Sequence, residues 1–165
     1  MNFIVAVDKN YAIGRNGTLI YSLPSDLAYF KKVTTGKVVV MGDKTYLSLP
    51  KRPLPNRTNI VMTLTDNNYE GAITVRSVKE LKEVIKDYNS DDVFVIGGAS
   101  IYNLLMNNCK LAYITKIKAR YPADTHINNI EDSGVWELIS KSQTMTENGL
   151  DFNFCIYENQ DVKEL

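Results

Sequence analysis

Val38-Val39-Val40-Met41-Gly42-Asp43-Lys44-Thr45 and Val93-Phe94-Val95-Ile96-Gly97-Gly98-Ala99-Ser100 follow one plan, a short unbroken apolar run that stops at glycine. Continuous, largely β-branched runs of this length read as strands buried on both faces, and the glycine-led stretch after each reads as a strand-to-helix turn. Similar runs stand at residues 3–7 and 59–63. Between the runs, residues 26–33 put Leu27, Phe30 and Val33 on one helical face, residues 77–86 group Val78, Leu81 and Ile85, and residues 100–106 group Ile101, Leu104 and Leu105. Strands alternating with helices predict right-handed crossovers and an α/β fold with a largely parallel sheet covered on both faces. Residues 112–117, 136–141 and 152–158 are strand-like without an amphipathic helix between them, which predicts an antiparallel extension. The stretch from Asp8 to Leu23 holds Gly14 and Gly17 and has no regular period; connections that long are commonly functional.

A chain of 165 residues is expected to form one domain, residues 1–165. Its 44% hydrophobic and 23% charged residues exclude disordered and fibrous classes. Lys plus Arg and Asp plus Glu number 19 each, so no global field draws the protein to a polyanion, and nucleic acid is not an expected partner. No apolar run approaches the ~20 residues of a membrane span, and no basic stretch precedes Phe3, so a cytoplasmic protein without a membrane partner is expected. Cys109 and Cys155 read as reduced core thiols. His126 is the only histidine, and neither a metal site nor a nucleophilic triad has its parts.

In a parallel sheet, turns that follow strands lie on one edge. Glycine there lets backbone approach phosphate oxygens, and the following helix offers unpaired N–H groups, so the turns at Gly42 and Gly97-Gly98 suit a dinucleotide pyrophosphate. Neither is a Gly-x-Gly-x-x-Gly or Walker pattern, and plain turn geometry remains open. Leu23-Pro24-Ser25-Asp26-Leu27 reads as a helix start with Ser25 as the N-cap. Asp26 then falls in the first turn with Phe30 about 40° away around the helix, which aims a carboxylate toward the core. Such a group has a raised pKa and persists where a cationic or doubly donating partner meets it. An aspartate there also complements the helix dipole, and the residue pattern leaves both readings open.

Leu23-Pro24-Ser25-Asp26-Leu27-Ala28-Tyr29-Phe30-Lys31 resembles the Leu-Pro-x-Asp-Leu-x-x-Phe-Lys segment of bacterial dihydrofolate reductases. The resemblance continues in order through Ala12-Ile13-Gly14, Val40-Met41-Gly42 with Lys44-Thr45, Arg52-Pro53-Leu54-Pro55-Asn56-Arg57, Ile96-Gly97-Gly98 with Tyr102, Thr115, and Asp124-Thr125. It implies a mixed eight-stranded, mostly parallel sheet with an antiparallel C-terminal strand and flanking helices. It also implies NADPH-dependent reduction of 7,8-dihydrofolate to 5,6,7,8-tetrahydrofolate for one-carbon metabolism, by a monomer open to antifolate inhibitors.

By the same resemblance Asp26 accepts hydrogen bonds from the pterin's N3–H and exocyclic amine, Thr115 hydrogen-bonds Asp26, and Tyr21 holds a bridging water. Arg57 pairs with the substrate's glutamate carboxylate, and Leu27, Phe30, Ser48, Leu49 and Leu54 line the aminobenzoyl group. Ile4, Val5, Ile96 and Tyr102 border the pterin, with the Ile4 and Ile96 carbonyls accepting from its amine. Cofactor contacts are implied for Ala6, Ile13, Gly14 and Leu19, for Gly42, Asp43, Lys44 and Thr45, for Met62, Thr63, Leu64 and Arg76, and for Gly97, Gly98, Ala99, Ser100, Ile101, Tyr102 and Thr125. The Gly97–Gly98 bond is cis in this family, and residues 8–23 form a lid.

The sequence departs from the family at several positions. Tyr21 stands in place of Trp and Ile20 in place of Pro. Asp43 stands in place of an Arg that meets the adenosine 2'-phosphate, Leu64 replaces a hydroxyl and Ser100 an occasional Arg, leaving Lys44 and Arg76 as nearby cations. A smaller than usual advantage of NADPH over NADH is therefore expected. Another reductase of this fold, such as the pyrimidine reductase of riboflavin synthesis, and a non-catalytic nucleotide-binding domain remain as alternatives.

Overall fold

The structure is a computed structural model and describes residues 1–19 and 21–165. Its strands are β1 (Asn2–Val7), β2 (Ala12–Arg15), β3 (Thr18–Leu19), β4 (Val38–Gly42), β5 (Thr58–Met62), β6 (Ile73–Val75), β7 (Val93–Gly97), β8 (Leu111–Ile117), β9 (Thr125–His126), β10 (Trp136–Lys141), β11 (Met145–Glu147) and β12 (Leu150–Asn159). Its α-helices are α1 (Pro24–Thr34), α2 (Asp43–Ser48), α3 (Val78–Ile85) and α4 (Ala99–Leu105). Eight strands follow one path, β10-β12-β8-β1-β7-β4-β5-β6, with β11 paired to β12. From β8 to β6 every pairing is parallel. The extension is antiparallel, β12 against β8 and β10 and β11 against β12.

The unbroken apolar runs are explained by burial on both faces. Along β4, Val38 and Val40 enter a large core with Phe3, Val5, Val95 and Leu81, while Val39 and Met41 enter a second cluster with Val61 and Tyr46. Helices α3 and α4 supply Leu81, Tyr102 and Leu105 to the first face, and α2 supplies Tyr46 to the second. Strand β7 lies between β1 and β4 in the sheet although it follows both in the chain, which puts a topological switch point at the carboxyl ends of β1 and β7.

Residues 8–19 are more ordered than an aperiodic loop. Within them β2 pairs with β3 and with β9, making a small antiparallel sheet over the strand ends. The period was invisible because these strands are too short to alternate. Ile20, one of the departures noted above, lies outside the described residues. The start of α1 also differs from expectation. Leu23 occupies the N-cap position without a side-chain cap, and Ser25 sits inside the first turn. Its N–H and hydroxyl donate to Glu147 at 3.0 and 2.6 Å, so the first turn is satisfied by a carboxylate from β11. Cys109 and Cys155 are free and buried, as expected. Among the described residues no helix is long and apolar enough to cross a membrane.

Leu81 is 0% exposed where α3 meets the larger core. Leu81→Ala is expected to cost about 3 kcal/mol, read as a lower urea midpoint at unchanged slope.

Candidate active site

Helix α1 runs across the switch point and carries Asp26 at one end. The Thr115 hydroxyl on β8, itself buried, donates to Asp26 Oδ1 at 2.6 Å. Among the described residues Thr115 is the only donor to this side chain, and no cation pairs with it. Burial pushes the Asp26 carboxyl above the usual carboxylate range; the Thr115 hydrogen bond opposes that shift, and the charge of Glu147 adds to it. The carboxylate thus keeps acceptor capacity in poorly solvating surroundings, which suits a ligand that brings its own donors.

The apolar row of α1 does not enter the core. Leu27 is 57% exposed, and Phe30 and Val33 are half-buried, so this face walls a cleft. Beyond it the Arg57 guanidinium lies 5.8 Å from the Phe30 ring centre. Arg57 Nε donates to Thr34 Oγ1 at 3.0 Å, and a terminal nitrogen donates to the Pro55 carbonyl at 2.8 Å. The loop that presents it is held by buried Asn59, which exchanges hydrogen bonds with Leu54 and donates to the Arg57 carbonyl. Leu49, Leu54 and Ile96 pack half-buried on one cluster beside this wall. Ser48, at the exposed end of α2, donates to the Thr45 carbonyl at 2.7 Å. One wall therefore offers a carboxylate, an aromatic and aliphatic middle, and a planar cation. That order fits an elongated ligand with amide-like donors at one end and an acid at the other.

Other expected residues are placed differently. Val5 packs in the larger core with Phe3 and Val7, so its side chain faces away from α1. Tyr102 is buried there as well and reaches the site indirectly, its hydroxyl donating to the Ile4 carbonyl at 2.7 Å. That carbonyl keeps one lone pair for a ligand. Tyr21 turns its hydroxyl to Asp8 Oδ2 at 3.4 Å.

The two glycine turns meet. A Cβ at Gly42 would come 3.1 Å from Ile101, and one at Gly98 would come 3.7 Å from the Thr45 hydroxyl. Neither α2 nor α4 has a side-chain cap. The Gly97–Gly98 peptide is cis, as the resemblance implied, and Arg52–Pro53 is cis as well. Ala99 and Ile101 rest partly on the larger core while Ser100 and Lys44 are exposed. Ile13 and Thr125 are half-buried, Gly14 buried and Leu19 exposed along the small sheet. There Asp124 accepts from Asn16 N–H and the Thr125 hydroxyl, each at 2.8 Å.

At the far end Met62 and Thr63 are buried and Leu64 is 97% exposed. Tyr69 donates its hydroxyl to Asp43. Arg76 is committed to the loop that follows β5, donating to the carbonyls of Thr65 and Asn67 and to the side chain of Asn68. The expected surroundings of a phosphate thus hold a carboxylate bound by Tyr69, an exposed leucine, an arginine committed to its own loop and the exposed Lys44.

Sequence reasoning missed Asp8, Thr34, Asn59, Tyr69 and Glu147. Asp8 had a signal, a carboxylate directly after a buried strand; Glu147 had none, being 122 positions from its partner.

A dihydrofolate reductase family model matches residues 1–159. The chain is 38% identical over 164 residues to a dihydrofolate reductase of Bacillus subtilis, covering 98% of this chain and 95% of that one. It is 32% identical over 177 residues to a dihydrofolate reductase of Drosophila melanogaster, covering 95% and 96%. A solved dihydrofolate reductase from Enterococcus faecalis, complexed with NADP(H) and RAB-propyl, superposes with a TM-score of 0.86 at 32% identity, covering 97% of this chain and 96% of that one.

The raised pKa of Asp26 has a stability consequence of definite sign. The folded state holds this proton more tightly than the unfolded chain, so the group's contribution to stability is fully present below the unfolded value near 3.8 and is lost as pH rises from there through the higher folded value. Asp26→Asn is therefore expected to raise the melting temperature at pH 7, with the difference shrinking as pH falls through the folded value and levelling off below about pH 4.

Proposed function

The chain belongs to the dihydrofolate reductase family and reduces 7,8-dihydrofolate to 5,6,7,8-tetrahydrofolate with NADPH, and we propose that Asp26 is the residue on which this chemistry turns. Its carboxylate, supported by the Thr115 hydroxyl at 2.6 Å and otherwise poorly solvated, is the observation that carries the reading. The two oxygens accept from the pterin's N3–H and exocyclic amine, which fixes the ring in its plane. The negative charge also favours positive charge at N5, so protonation there becomes easier; water or a substrate tautomer brings the proton. Asp26 thus orients and stabilises before it acts as an acid. The hydride for C6 comes from the nicotinamide when the cofactor is bound.

Phe30, Leu27, Leu49 and Leu54 bracket the aminobenzoyl group, Ile4 and Ile96 offer carbonyls to the pterin amine, and Arg57 takes the glutamate carboxylate as a planar fork. The hydrogen bonds of Arg57 to Thr34 and Pro55 support this, since they leave the fork oriented. The meeting of the Gly42 and Gly98 turns fits a cofactor pyrophosphate, with Thr45, Ala6, Ile13 and Thr125 alongside. Residues 8–23 act as the lid, and product release or lid opening limits turnover. We place the enzyme in the cytoplasm as a one-domain monomer serving one-carbon metabolism and open to antifolates, with no nucleic-acid or membrane partner.

The residues around Asp43 do not fit a 2'-phosphate as well as the turns fit a pyrophosphate. A carboxylate repels that phosphate and instead accepts from a ribose hydroxyl.

Oxidation of NADPH in the presence of dihydrofolate, followed at the nicotinamide absorbance band, tests the function directly. Asp26→Asn is expected to lower kcat/KM at pH 7 by roughly a hundredfold or more. Wild-type activity that survives this substitution intact would remove Asp26 from the mechanism. Asp43→Arg is expected to raise the ratio of kcat/KM for NADPH over NADH by about tenfold. An unchanged ratio would show that Asp43 does not face the ribose.

A further inference from the structure

We infer that Asp8 is a positioning residue which ties the entry of the lid, its exit and the loop after β8 into one base; the inference rests on residues 8–23 being the cover of the cleft. Asp8 follows β1 directly and is 1% exposed. Among the described residues it has no cationic partner. Four donors surround it instead. Oδ1 accepts from Asn10 N–H at 2.8 Å and Ala12 N–H at 3.0 Å, at the lid's entry. Oδ2 accepts from the Tyr21 hydroxyl at 3.4 Å, at the lid's exit, and from Tyr121 N–H at 3.2 Å, in the loop between β8 and β9. The Tyr21 and Tyr121 rings meet edge to face at 5.3 Å, which closes the same junction from its apolar side.

Only a carboxylate meets this demand. Four donors in two directions require two oxygens that both accept, and an asparagine has one. Whichever way an amide lay, one pair of donors would face an NH2 group. Held at both oxygens, the Asp8 carboxylate cannot rotate about its last side-chain bond, so a displacement at the exit is transmitted to the entry. The entry is sensitive to it, because Tyr11, between the two N–H donors, sits at φ +57°, a left-handed conformation that a bulky residue keeps only when its surroundings hold it. The junction also borders the reacting end of the cleft. Tyr21 and Ala6 pack on the same cluster, Leu23, Ile117 and Phe152, and Ala6 is the strand partner of Thr115, which donates to Asp26.

Tyr21→Phe removes a single donor at the lid's exit. If Asp8 couples the two ends, amide exchange at Asn10 and Ala12, at the entry, rises roughly tenfold in this variant, and that at Tyr121 rises with it. Unchanged exchange at Asn10 and Ala12 would overturn the inference. Asp8→Asn is expected to raise KM for dihydrofolate more than it lowers kcat, and the double variant to be no worse than Asp8→Asn alone, since both act through one junction. Effects that multiply independently would count against the coupling. Should Asp8→Asn fail to fold, the exchange measurement on Tyr21→Phe decides alone. Exchange does not depend on turnover, so a wild-type protein inactive toward dihydrofolate would refute the function above without altering this result.

Discussion

The hydroxyl of Thr115 donates to a carboxylate that nothing else in the described protein supports, and much of the molecule serves to put those two groups together. Thr115 can stand there because β8 is clamped between β1 on one side and β12 on the other, which fixes its register to Ala6 and Phe154. Asp26 arrives from the far side of the sequence on a helix whose first turn needs Glu147 to complete it. A charge left this poorly solvated is costly unless something pairs with it, and here the partner has to come from outside the chain. Stability and chemistry therefore pull in opposite directions at one residue, a common arrangement at sites that must bind.

Asp8 makes the contrast plain. It is more deeply buried, yet four donors surround it, two at the entry of the segment that covers the cleft, one at its exit and one in the loop after β8. One carboxylate is saturated and holds the scaffold; the other is left unsaturated and faces the ligand. Residue type alone does not separate these roles, because both are aspartates beside apolar runs. The number of donors around each does.

That difference also marks what was legible in the sequence. The runs at residues 38–41 and 93–96 announced buried parallel strands because their apolar character is continuous, and the structure divides each run between two cores. Asp26 was legible through its neighbours at helical spacing and through its motif. Ser25 misled, because a serine after proline is an ordinary cap signal and its true acceptor lies on β11. Val5 misled as well, since a run buried on both faces carries no sign of which residues point to which side. Tyr21 was read by analogy with a tryptophan, and the analogy carried no sign of the buried carboxylate to which its phenol donates. Tyr69 and Asn59 were silent for a general reason: they act by holding another functional side chain or loop, and such contacts leave no periodic trace.

The tie between Ser25 and Glu147 carries a consequence for how the protein is born. A ribosome delivers the chain from its N-terminus at about 5–20 residues per second, so α1 emerges several seconds before its stabilising carboxylate. The strand that pins the outer side of Thr115, β12, is later still, at Leu150–Asn159. During that interval the half of the chain holding Asp26 exists without the groups that shape its surroundings, and nascent chains cut short before β11 would lack a functioning cleft. Competence to bind therefore comes late in synthesis, and the newly made enzyme is exposed to proteases and chaperones until its last strands have been added.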